Sequence, residues 1–176
     1  MPRVESESLM TNLLFKALFN HLGQPESIVG EGKSARFSLR RDLDTGSCQA
    51  EGSLEYTLPS GKTLSHKNDI LISLSGERYV AFEVKFLSSV TDQFKARSYD
   101  MMHLKQEFGG RVSGIMVYAH FPGKGIRIEQ ARLISYPFDH FFGFDAEELF
   151  AGENKEIADS FLPIIQAVSK FISETN

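Results

Sequence analysis

The sequence has one cysteine, Cys48, so no disulfide can close within the chain, and a reducing compartment is the expected setting. It has no apolar run long enough to span a bilayer. Its first residues, MPRVESES, are polar and acidic, unlike a secretory leader. The expected location is therefore the cytoplasm, with no membrane partner. A basic excess is missing too: 19 Lys and Arg against 23 Asp and Glu give a formal charge of −4. Many nucleic-acid-binding domains are basic, so this balance argues against a large nucleic-acid footprint. Repeats, low-complexity tracts and an evident interdomain linker are also lacking.

What remains is an ordinary folded composition. The 176 residues are 41% apolar, which suits one domain over 1–176 whose core needs no covalent staples. The charges are unevenly spread. Lys33, Arg36, Arg40 and Arg41 cluster early, and Lys62, His66 and Lys67 stand just before Asp69. The acids gather late, from Asp139 and Asp145 to Glu156 and Asp159. Taken singly these are solvated surface charges; together they allow a locally basic face on an acidic protein.

Periodicity predicts a first helix from about Glu5 to His21, with Met10, Leu13, Leu14, Ala17 and Leu18 at helical spacing, His21 completing the apolar face, and Gly23 as its stop. Residues 24–48 read as irregular, with strand pieces around Ala35 to Leu39. Strands follow at Gly52 to Leu58, Asp69 to Leu74 and Arg78 to Phe86, the last two joined by the Ser75-Gly76-Glu77 hairpin loop. A helix from Thr91 to Phe108, opened by Ser89 or Thr91, leads to a doubly covered strand, Val112 to Ala119. Ile126 to Ile134 reads as a further strand. The C-terminal part reads as helical, broken at Pro163. The expected fold class is α/β with a mixed central sheet and C-terminal helices.

One strand carries the chemistry. Side chains alternate along a strand, so Val80, Phe82, Val84 and Phe86 share a core face while Ala81, Glu83 and Lys85 share the other. If Gly76 centres the hairpin loop, Asp69 stands directly across from Glu83. Opposed carboxylates repel; Lys85 relieves this in part, and a divalent cation would relieve it further. Mg²⁺ prefers oxygen ligands and is held by one or two carboxylates with waters and substrate phosphate. A lysine beside it offers a compact charge for developing phosphate oxygens. The plainer alternative is a Glu83–Lys85 salt bridge with Asp69 merely opening a strand. Against it, Asp, Glu and Lys are all depleted in strands.

The pattern Asp69, thirteen residues, then Glu83-Val84-Lys85 resembles the PD-(D/E)XK nuclease superfamily, also called restriction-endonuclease-like. The order of elements is similar to that family's α-β-β-β-α-β core, over residues 5–120, with a strand and helices over 121–176. The resemblance implies a Mg²⁺ site, with Mn²⁺ able to substitute. Its metal ligands would be Asp69, Glu83 and the Val84 main-chain carbonyl, and Lys85 would be the catalytic lysine. Asn68 stands where the motif has proline. Some members place a first-helix glutamate at the metal, and Glu7 is the candidate here; an acid favoured by the first-turn dipole is the equal alternative. Gln93, Arg97 and Asp100 share a side of the following helix. Gln93 and Arg97, with His66 and Lys67, are candidate substrate-binding residues.

Other signals carry less. Gly30-Glu31-Gly32-Lys33-Ser34 lacks the earlier glycine of a phosphate loop and reads as a polar loop that could touch substrate. The five histidines show no metal-ligand spacing. The aromatic group Phe138, Phe141, Phe142 and Phe144 reads as core under the C-terminal helices, or else as a partner surface. The expected function is Mg²⁺-dependent hydrolysis of nucleic-acid phosphodiester bonds, with DNA ahead of RNA as partner. A homodimer or a targeting protein would supply specificity. The alternative is an inactive nuclease-like fold that binds nucleic acid or protein.

Overall fold

The computed structural model describes residues 6–86 and 91–174; Glu5 and Ser89, proposed above as helix-opening residues, lie outside them. Helix α1 spans Glu7–Leu22. Ser6 caps it, its hydroxyl accepting from the Leu9 N–H at 3.1 Å, which satisfies one of the free amides of the first turn. Met10, Leu13, Leu14, Ala17, Leu18 and Leu22 are buried, whereas His21 is exposed and does not extend the apolar face. The strands are β1 (Arg36–Ser38), β2 (Ser47–Ala50), β3 (Ser53–Thr57), β4 (Thr63–Lys67), β5 (Ile70–Leu74), β6 (Arg78–Phe86), β7 (Val112–His120) and β8 (His140–Asp145). The remaining helices are α2 (Thr91–Phe108), α3 (Ile128–Ile134), α4 (Ala146–Ala151), α5 (Asn154–Ser160) and α6 (Leu162–Ser173). Pro163 falls in the first turn of α6, where its missing N–H costs nothing, so the C-terminal pattern is divided as expected. Among the described residues no helix is long and apolar enough to cross a membrane.

The strands form a six-stranded mixed sheet, ordered β1-β2-β5-β6-β7-β8, and a separate β3–β4 hairpin. β1, β2, β5 and β6 run antiparallel in turn; β6, β7 and β8 are parallel. The strand expected over residues 52–58 therefore does not neighbour β5. That place belongs to β2, whose short polar run SCQA carries little strand signal. The strand expected over Ile126 to Ile134 is not formed; Ile128–Ile134 is helix α3. Ile128, Ala131 and Ile134 also fit helical spacing, the Gln130 side chain accepts from the Arg127 N–H at 3.3 Å, and Glu-Gln-Ala-Arg-Leu favours a helix.

Two apolar layers enclose the sheet. On one side, α1, α5 and α6 pack over Ile70, Ile72, Val80, Phe82 and Val84. On the other, Met101 and Leu104 of α2 meet Leu71 and Ala81, joined by Leu54 and Tyr56 of the β3–β4 hairpin. Gly114 permits this: a Cβ there would stand 2.6 Å from the Met101 sulfur. The aromatic group expected under the C-terminal helices is divided: Phe141, Phe142 and Phe144 lie in β8 and Phe138 just before it, with Phe142 and Phe144 in the layer under α1 and α6 (Phe144 edge-on to Phe161 at 5.7 Å) and Phe138 and Phe141 on the opposite, α3-facing side.

Candidate active site

The β5–β6 register sets the site. Leu74 pairs with Arg78 and Ile70 with Phe82, so Gly76 centres the loop and the next rung places Asp69 across from Glu83. The Asp69 N–H extends the ladder to the Phe82 carbonyl at 3.0 Å, and the Glu51 N–H donates to the Asp69 carbonyl at 2.8 Å. Just before it, buried Asn68 donates from Nδ2 to the carbonyls of His66 and Gly52, at 3.1 and 3.4 Å. This amide fixes the bend where the resembled motif has a proline.

Side chains then converge on Lys85. Its Nζ lies 2.7 Å from Glu83 Oε1, 3.5 Å from Glu7 Oε1 and 4.0 Å from Asp69 Oδ2, and it donates to the Val84 carbonyl at 3.0 Å. Asp69 Oδ2 also accepts from the Val84 N–H at 2.7 Å. Lys85 and Glu83 are buried, while Asp69 and Glu7 are partly open to solvent. A second cation reaches Glu83 from α2: Arg97 Nε stands 2.8 Å from the same Oε1. Both approaches have ion-pair distances, though neither meets hydrogen-bond geometry.

Burial first, and then the Asp69 carboxylate, push the Glu83 carboxyl up to about 7, against the pull of Lys85 and Arg97. Burial works to depress the Lys85 ammonium, but Glu83, Asp69 and Glu7 together outweigh it and raise its pKa. Glu83 does the same for the Arg97 guanidinium. The site therefore holds two fixed positive charges around a carboxyl whose own ionisation is costly.

The donor chemistry suits a hard cation. Two carboxylates and a main-chain carbonyl face one point, with a third carboxylate, Glu7, at its edge; all are oxygens, as Mg²⁺ requires. Among the described residues no three acidic, histidine or cysteine side chains form a ready-made metal cluster. The set seen here differs in drawing one oxygen from the main chain and in having the Lys85 ammonium amid its oxygens. That ammonium marks a position where positive charge is already stabilised.

The other candidates are placed as follows. Arg97 touches Glu83 and pairs with Asp100 at 3.3 Å. His66 faces the same Asp100 at 3.7 Å and stacks on Tyr56, so it borders the site through α2. Lys67 is turned toward Glu51 at 3.1 Å. Gln93 is exposed, and its side chain makes no hydrogen bond among the described residues. A cleft of about 260 Å³ opens beside Asp69, lined by Glu7, Thr11, Asn12, Lys33 and Glu51. Glu51 gives no sequence signal of its own, being one acid in the turn between β2, which pattern does not reveal, and β3. No family model and no curated protein matches the chain.

Proposed function

We propose that this chain is a metal-dependent nuclease with a restriction-endonuclease-like core, hydrolysing phosphodiester bonds of nucleic acid, with DNA the first substrate to test. The observation that carries this reading is the meeting of Glu7, Asp69, Glu83 and the Val84 carbonyl within 4.0 Å of the Lys85 Nζ. The run α1, β2, β5, β6, α2, β7 supports it, since it follows the α-β-β-β-α-β order once the edge strand β1 and the β3–β4 hairpin are set aside as additions.

Mg²⁺ or Mn²⁺ held by Asp69, Glu83 and the Val84 carbonyl would neutralise phosphate charge and acidify a water. The chain's own groups do the rest. Lys85, kept charged by its carboxylate neighbours, stands ready for a phosphate oxygen as charge develops on it. The main-chain N–H of Val84 fixes the Asp69 carboxylate in its rotamer, which is the pre-organisation such a site needs. Arg97 sits beside Glu83 and offers a second donor fork to phosphate. Hydrolysis adds the water oxygen to phosphorus and breaks one phosphorus–ester bond, leaving a terminal phosphate and a hydroxyl.

Purified protein is expected to cut DNA with Mg²⁺ or Mn²⁺ and to stop with chelator. Asp69→Asn should abolish cutting with an unchanged circular dichroism spectrum; cutting that survives this substitution would sink the reading. The double cationic engagement of Glu83 favours a second reading, a silent fold that binds nucleic acid without cleavage. Metal-independent binding with no cutting in either metal would select it.

A further inference from the structure

We infer a second anion site centred on Glu51, formed by Lys33 of the cleft beside Asp69 and by Lys67, which lines the neighbouring pocket with Glu83 and Arg97; it takes a phosphodiester of the strand next to the bond being cut and is filled at rest by the Glu51 carboxylate. This rests on the nuclease reading for its substrate, and on geometry of its own for the site. Lys33 Nζ stands 3.5 Å from Glu51 Oε1 and Lys67 Nζ 3.1 Å from Oε2. One ammonium thus serves each oxygen, from segments far apart in sequence. Among the described residues neither lysine has another carboxylate partner. Both lysine side chains are largely exposed, at 79% and 62%, so an incoming phosphate can reach them. An exposed pair of this kind is weak and easily exchanged.

The place is adjacent to the chemistry. The Glu51 N–H donates to the Asp69 carbonyl, Lys67 lies two residues before Asp69, and Lys33, Glu51, Glu7 and Asp69 line one cleft. Glu51 has φ +51°, a left-handed conformation that Glu77 shares in the β5–β6 turn, so the two glutamates differ in their lysine partners and not in their backbone. A carboxylate between two lysines occupies the place that a phosphate group would take.

The test is binding of a labelled DNA oligonucleotide in chelator, titrated with salt. Glu51→Gln should bind several-fold more tightly than wild type. Glu77→Gln, the same charge change in the β5–β6 loop at the far end of the hairpin, should bind as wild type does. Lys33→Gln with Lys67→Gln should weaken binding on the order of tenfold and flatten the log–log salt slope by about one unit per lysine. The inference is overturned if Glu51→Gln is no tighter than Glu77→Gln, or if the double lysine variant keeps the wild-type slope. Inorganic phosphate separates this from the nuclease reading. Phosphate should compete with the oligonucleotide on wild type and bind the double variant more weakly. A wild type that cuts DNA while the variants bind as it does removes the second site alone. A wild type that neither cuts nor binds DNA removes the nuclease reading, and its phosphate affinity against that of the double variant then decides the anion site.

Discussion

The two faces of β6 are buried to the same degree and built from opposite chemistry. Toward α1 stand Val80, Phe82, Val84 and Phe86, none more than 6% exposed. Toward α2 stand Ala81, Glu83 and Lys85, with the two charged residues at 5% and 7%. Each apolar side chain on the first face stabilises the fold by about 1.5–3 kcal/mol through burial. The charged pair on the second does the reverse until its partners are counted, because desolvating two ions costs at least as much as their attraction returns. One strand thus separates the two demands: the α1 face holds the molecule together, and that stability lets the α2 face keep an ionic group that burial opposes.

Breaking the first face should give the largest effect. Phe82→Ala removes a ring that is 0% exposed and should lower the unfolding free energy by about 3–5 kcal/mol in urea, while cutting per folded molecule stays at the wild-type rate. Breaking the second face should do the opposite. Lys85→Ala should slow cutting by on the order of 10²–10³, about 3 kcal/mol in the transition state, in protein that still melts cooperatively. If the two variants showed the same split between stability and rate, the faces would not be distinct.

The pH dependence sharpens the contrast next. The Glu83 carboxyl is raised from 4.5 to about 7 by burial and by Asp69. Between those values the folded protein keeps a proton that the unfolded chain has released. Its contribution is therefore complete below about 4.5 and lost as pH rises through 7, a change of about 3 kcal/mol. Urea melts in chelator at pH 5 and pH 8 should show this loss, and Glu83→Gln should remove it. A wild type equally stable at both values would place Glu83 in a more solvated setting than the one described. The smallest effect belongs to neither face: Glu51→Gly, which relieves the left-handed backbone, should raise the thermal midpoint by the equivalent of about 0.5–1 kcal/mol.

The part of the site that local pattern governs was legible beforehand. Alternation along residues 78–86 assigned both faces of β6, and Gly76 as loop centre brought Asp69 opposite Glu83. Helix α2 runs from Thr91 to Phe108, the span its pattern and closing glycines indicate. What stayed hidden depends on distant partners. β2 is four residues of weak propensity, made a strand by β5 alongside it. β8 is an aromatic cluster that becomes a strand only against β7. Ile126 to Ile134 satisfied both periods, and helix-forming residues decided it. Arg97 was visible as a polar helix residue, but its engagement of Glu83 depends on how α2 lies over the sheet. The Lys33–Glu51–Lys67 cluster joins three segments whose strand connections the sequence does not disclose.

The three-residue turn Ser75-Gly76-Glu77, with left-handed backbone at Gly76 and Glu77, lies at the far end of the hairpin from the carboxylates and touches none of them. It nevertheless acts as their alignment gauge, because a strand's side chains swap sides with every single-residue shift. Lengthening that loop by one residue, with β6 held in place by β7, would turn the residue-69 carboxylate into the oily layer beneath α1. A surface bend that looks free to vary is thus under the same constraint as the acidic groups it lines up.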